Sequence, residues 1–236
     1  MIAVTFALPV ESSELVRLLQ KQRREKQGGV EVVRGALHGH AVAVLHTGVG
    51  EKATRTRLGS FLGAAQPSAL ISAGFAGALN DSLGIGDLLL ADNRTAPTLL
   101  PPAQRALAPD GVKVGALTTA HDVIDSSAKR QKLAEDTGAA AVDMETEFIE
   151  ELCANLVIPM VSLRAITDTP HVPFPAPPQV LFNVERQRSE FGPLFRYLLF
   201  HPAAMPKFIS FARNIARCRS ILTSALDLLL RGLSSS

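Results

Sequence analysis

The sequence contains no tryptophan and one tyrosine, and aromatic residues make up only 5% of its 236 positions. A surface that binds nucleic acid by stacking bases needs aromatic rings, so their scarcity argues against that class. Charge of one sign is also missing. Lys and Arg total 24 against 22 Asp and Glu, for a net +2, which implies no polyanionic partner. Two cysteines, Cys153 and Cys218, are too few for a disulfide framework and suit a reducing, cytoplasmic setting as buried thiols. No unbroken apolar span is present either. The uncharged stretch from Leu58 to Asn80 is long enough to cross a bilayer, but Gly59, Gly63, Pro67, Gly74 and Gly77 divide it into helix, turn and strand. The apolar start, Ile2 to Val10, lacks a basic flank and meets Glu11 early, so it reads as a strand rather than a signal segment.

What remains is an aliphatic chain. Hydrophobic residues make up 47% and charged ones 19%, with a mean hydropathy of +0.19. Disorder is excluded, and the length fits one compact α/β domain. Short apolar runs at Ile2–Leu8, Ala69–Ala73, Leu88–Ala91 and Pro159–Ile166 read as buried strands. Val30–Val33 and Ala41–Leu45 read as a strand pair, and Lys113–Leu117 and Ala141–Met144 as shorter strands. Helices are expected over Ser12–Gln27, Glu51–Gly63, Ser127–Asp136 and Thr146–Asn155, with two more over 184–200 and 205–233. Residues 95–111, rich in Pro and Ala, are expected as a surface loop, and Gly74–Gly77 as a turn. Strands alternating with helices predict an α/β sheet covered by helices on both faces. Residues 1–200 form the expected catalytic domain, and 201–236 an amphipathic helical extension of it.

Polar residues emerge where these apolar runs end, as they do at the sites of open α/β sheets. Glu11 follows the first strand, Glu145 a later one and Asp168 the last. Each has an ordinary structural reading. Glu11 and Glu145 suit the first turn of a helix, and Asp168 can cap a turn before Pro170. Thr47-Gly48-Val49-Gly50 is a tight turn lacking the third glycine of a dinucleotide fingerprint. His38 and His40 share a strand face without a third ligand, so no metal site is expected.

Taken in order, Ala7-Leu8-Pro9-Val10-Glu11, Thr47-Gly48-Val49-Gly50, Ser72-Ala73-Gly74-Phe75-Ala76-Gly77, Val142-Asp143-Met144-Glu145 and Arg164-Ala165-Ile166-Thr167-Asp168 resemble the nucleoside phosphorylase/nucleosidase family over roughly residues 1–170. The resemblance is closest to the hydrolytic branch, the 5′-methylthioadenosine/S-adenosylhomocysteine nucleosidases. It implies a three-layer αβα fold with a central mixed sheet, and cleavage of the N-glycosidic bond of an adenosyl nucleoside by water, without a cofactor. Asp168 would protonate purine N7, Glu145 would accept from the ribose hydroxyls with Met144 against the sugar, and Glu11, positioned with Arg164, would deprotonate the attacking water. Thr47, Gly74, Phe75, Ala76 and Val123 would line the substrate. Alternatives are a phosphorylase using phosphate, which Glu51 in the Gly48–Glu51 turn would oppose, and a non-enzymatic nucleoside-binding member.

Phe75 stands where the nucleosidases carry a small hydroxyl residue, Val123 where they carry an aromatic ring, and Pro9-Val10 where they carry acids. The segment Leu198–Ile215 resembles instead the nucleosidase subgroup of hopanoid biosynthesis, which acts on adenosylhopane. That resemblance implies a lipid-tailed substrate. From His201 onward five cations face Asp227 alone, so 201–236 is a candidate for peripheral contact with an anionic inner membrane surface. The resemblance also implies a homo-oligomer.

Overall fold

Successive side chains of a strand point to opposite faces, and this chain buries both faces of its sheet. The computed structural model describes residues 1–124, 126–172 and 205–233. β1 (Ile2–Phe6) lies near the middle, parallel to β4 (His40–His46) and β5 (Ala69–Ala78). β5 in turn pairs in parallel with β10 (Met160–Asp168). β2 (Gln20–Gln27) and β3 (Val30–Leu37) extend one side as an antiparallel hairpin. β6 (Leu88–Ala91) and β7 (Lys113–Gly115) extend the other, with β6 antiparallel to β10. The order is β2-β3-β4-β1-β5-β10-β6-β7. β9 (Ala141–Asp143) joins the end of β5, and β8 (Leu117–Thr119) pairs with β9. The expected mixed sheet is therefore present.

Ile2, Val4 and Phe6 meet Leu15 of α1 (Pro9–Leu18) and Ala103 and Leu107 of α3 (Leu100–Leu107). In the same cluster are Leu222, Leu226, Leu229 and Leu230 of α6 (Met205–Leu233). Ala3, Leu45 and Leu70 face the other way, onto Leu58, Phe61 and Leu62 of α2 (Glu51–Ala64) and Ile149 and Cys153 of α5 (Thr146–Asn155). Helices thus cover both faces of the sheet. The second half of α6 is part of the core.

Several boundaries differ from expectation. The helix expected over Ser12–Gln27 ends at Leu18, and Gln20–Gln27 is the exposed outer strand β2. Its charges, which suggested a helix's polar face, sit on a sheet edge, where they discourage pairing with other chains. The loop expected over 95–111 contains α3, started by Pro101 and Pro102 in its first turn. Gly74–Gly77 continues β5 instead of turning, and Lys113–Leu117 divides between β7 and β8. The helix expected over 184–200 lies outside the described residues. Cys153 and Cys218 are buried, and burial pushes their thiols up to about 12 and about 11. Among the described residues no helix is long and apolar enough to cross a membrane.

If the second half of α6 is core rather than appendage, Leu226→Ala should lower unfolding free energy by about 2–5 kcal/mol, as for a fully buried leucine. Chemical denaturation measures this, and a loss below about 0.5 kcal/mol would place α6 outside the cooperative unit.

Candidate functional site

All nine residues of β10 are buried, including Arg164 and Asp168. A buried charge must be paired and hydrogen-bonded to be tolerated. Arg164 meets that requirement closely. Its Nη2 donates to Asp143 Oδ2 at 2.9 Å, Ser72 Oγ at 2.8 Å and Thr146 Oγ1 at 2.6 Å. Its Nε donates to Asp143 Oδ2 at 3.1 Å, and Nη1 to the Ser72 carbonyl at 2.6 Å. Asp143 also accepts from Thr119 Oγ1 at 2.8 Å and from the Thr146 hydroxyl. One guanidinium thereby ties β10 to β5, β9 and the start of α5.

Beside this knot is a small cavity lined by Glu11, Glu145, Arg164, Thr47, Phe75 and Gly74, among others. Glu11 is in the first turn of α1, with its carboxylate facing back into the sheet. Oε2 accepts from the Leu8 N–H at 2.7 Å and Oε1 from the Phe75 N–H at 3.1 Å. Burial nevertheless raises its pKa above the usual carboxylate value, against the opposing pull of the two N–H groups and the Arg164 charge. Glu145 precedes α5, and its Oε1 accepts from the Gly50 N–H at 2.9 Å. Gly50 has φ +80° at the start of α2, where a side chain would be strained. Burial first, then the Asp143 charge, push the Glu145 carboxyl up to about 8. The cavity thus holds two buried carboxyl groups whose pKa values are raised by burial, as is common at sites of proton transfer or ligand exchange.

Of the residues expected at the site, Glu11, Arg164, Glu145, Thr47, Gly74 and Phe75 line this cavity. Met144, Ala76, Val123 and Asp168 are not among its lining residues. Arg164 is hydrogen-bonded to Asp143 and not to Glu11, on which it acts through space. Asp168 pairs with Arg130 of α4 (Ser127–Thr137), with both side chains only 3% exposed. Glu51, expected to oppose an anion, is turned to Arg55, whose Nε donates to it at 2.8 Å, and does not line the cavity. His38 pairs with Asp227 of α6 at 2.7 Å. Among the described residues no group of three or more His, Cys, Asp or Glu could hold a metal.

Two residues escaped sequence reasoning. Asp143, an acid ending an apolar strand, carried a usable signal. Arg130 carried none, because it sits among the similar Lys129 and Lys132 in a polar helix.

Residues 1–109 and 95–190 match the Phosphorylase superfamily. The 5′-methylthioadenosine/S-adenosylhomocysteine nucleosidase of Staphylococcus epidermidis is 27% identical over 196 residues, covering 71% of this chain and 86% of that protein. The nucleosidase of the same name from S. pneumoniae, solved with a transition-state inhibitor, superposes with a TM-score of 0.75 at 19% identity. The match covers 98% of this chain and 99% of that one. Futalosine hydrolase of Helicobacter pylori superposes with a TM-score of 0.73 at 17% identity, over 97% and 96% of the two chains. With most of its length matched and its fold shared, the chain belongs to the phosphorylase superfamily.

Proposed function

We propose that this protein is a nucleosidase that cleaves the N-glycosidic bond of an adenosyl compound with water. The observation that carries the reading is the pair of carboxyl groups, Glu11 and Glu145, facing one cavity beside an arginine that is already engaged. Such cleavage breaks the bond between C1′ and the purine while a cation-like ribosyl forms. Glu11, held by two N–H groups, is suited to orient a water at C1′ and take its proton. Glu145 is suited to accept from the ribose hydroxyls and so fix the sugar. Asp168 would donate a proton to the departing base, which leaves as neutral adenine.

The same cavity disfavours a phosphorylase. A phosphate dianion needs uncommitted cations. Among the described residues the only cation lining the cavity is Arg164, whose donors are bound by Asp143, Ser72 and Thr146, while Glu11 and Glu145 add negative charge.

The finer substrate reading is a lipid-tailed adenosyl compound such as adenosylhopane, taken up by an oligomer at a membrane surface in the cytoplasm. Phe75 supports it, since it lines the cavity and packs with Val16, Ile85 and Ile221 against the core beneath α6. The first half of α6 supports it further. Met205 and Ile209 are 43% and 47% exposed there, alongside exposed Lys207, Arg213 and Arg217, the composition of a helix that lies on anionic lipid.

Three outcomes are expected. Glu11→Gln keeps the side-chain volume but cannot take a proton, so adenine release should fall by about 10²–10⁴-fold, and because its amide nitrogen cannot accept from one of the two backbone N–H groups, Tm should fall modestly. A product assay with and without phosphate checks this, and near-normal release would remove Glu11 from the reaction.

The second outcome concerns pH. The folded-state pKa of Glu145 is raised to about 8 from 4.5, so its contribution to stability is fully present below 4.5. It is lost as pH rises through about 8. Glu145→Gln should therefore gain Tm over wild type as pH rises from 5 to 9. Over the same range wild-type affinity for the nucleoside should increase to a plateau, since the ionised carboxylate accepts the sugar hydroxyls, and the variant should show no such rise. Parallel melting and binding curves for the two proteins would refute the assignment.

Third, the full chain should sediment with vesicles containing phosphatidylglycerol but not with phosphatidylcholine alone. Reversing Lys207, Arg213 and Arg217 to Glu should abolish this. Equal sedimentation of the triple variant would end the membrane reading.

A further inference from the structure

We infer that Arg130 is a positioning residue that latches Asp168 away from the base in the empty enzyme, and that the purine displaces it. This rests on the nucleosidase reading and adds a residue to it. Asp168 has both oxygens engaged. Oδ2 accepts from Arg130 Nη2, and Oδ1 from the Thr167 hydroxyl at 3.0 Å. Arg130 is fixed in turn by donating from Nη1 to the Ala78 carbonyl at 2.7 Å. The register of β10 against β5 slips between Ile166 and Asp168, and such a bulge re-aims the side chain that follows it. Space for the pair comes from Gly77. A Cβ there would lie 2.7 Å from Asp168 Oδ2 and 2.8 Å from Arg130 Nη1.

The pair is poorly suited to a purely structural task. A buried ion pair repays its desolvation only when the remaining donors are also satisfied, yet among the described residues the buried Nε of Arg130 has no acceptor. Arg130 is also the only fully buried residue of α4. Leu133 and Ala134 pack partly against the small cluster of Leu79, Ala139 and Val142, while the rest of the helix is exposed. A surface helix anchored chiefly by one incompletely satisfied arginine can undock at low cost.

Displacement would also free Asp168 Oδ2, otherwise occupied by Arg130 Nη2, to face the purine. The adenine edge offers its exocyclic amine as a donor to the freed carboxyl, and N7 as the acceptor of a proton relayed from solvent through Asp168 as the bond to C1′ breaks.

The probe is adenine, with wild type, Arg130→Met and Arg130→Lys compared. If the latch is closed in about nine of ten empty molecules, removing it tightens adenine binding about tenfold. Arg130→Met should therefore show a lower Kd for adenine and a lower KM for 5′-methylthioadenosine, with kcat within about threefold of wild type. Arg130→Lys, which keeps the charge, should stay close to wild type. In wild type, saturating adenine should speed amide exchange in Ser127–Thr137 severalfold, a readout that holds even if Arg130→Met does not fold. Exchange in α4 that is unchanged or slowed by adenine overturns the latch, as does a Met variant that binds adenine no tighter. A wild-type chain that binds no adenine overturns the nucleosidase reading, and the latch falls with it.

Discussion

The ion pair between Arg164 and Asp143 organises this molecule. A guanidinium in the middle of a fully buried strand is tolerated only if nearly every donor finds an acceptor, and those acceptors come from three other elements. Ser72 supplies them from β5, Asp143 from the end of β9 and Thr146 from the first turn of α5. Satisfying one arginine thus fixes the relative positions of the strand ends where the cavity lies. Replacing Arg164 alone with an apolar residue would strand the buried Asp143 carboxylate, at a cost of about 3–5 kcal/mol, and would release the geometry around Glu145, two residues beyond Asp143.

The electrostatics follow from the same pair. Arg164 pulls the carboxyls of Glu11 and Glu145 toward ionisation, while Asp143 pushes Glu145 the other way. Burial dominates both. The two acids differ in their hydrogen bonding, since Glu11 is held by two backbone N–H groups and Glu145 by one. In the proposed reaction the better-supported carboxylate acts on water and the other accepts the sugar hydroxyls. Similar side chains would then be directed to different tasks by how many donors each receives.

Much of this was legible in the sequence, for a physical reason. Glu11, Glu145 and Arg164 stand at or within apolar runs, where a charge is conspicuous, and the family's motif order links them. β1, β5 and β10 were legible because buried central strands are continuous aliphatic runs. β2 was not, because Gln20–Gln27 has no apolar alternation and gains its strand conformation by pairing with β3. Nor was α3, whose prolines suggest a loop until they are seen to occupy its first turn. The ion pair of Asp168 was the largest omission. It joins residues 38 positions apart, and nothing in the polar run around Arg130 separates the one cation that turns inward from its neighbours.

The placement of α6 bears on how the chain is made. Leu222, Leu226, Leu229 and Leu230 cover a face formed by Ile2, Val4, Ile71 and Leu163. During synthesis that face can assemble from the earlier strands long before its cover has been translated. An aliphatic surface left open in this way is prone to association, and the closing contacts are among the longest in sequence that the fold contains. Nascent chains paused before residue 220 would therefore be natural clients of a chaperone.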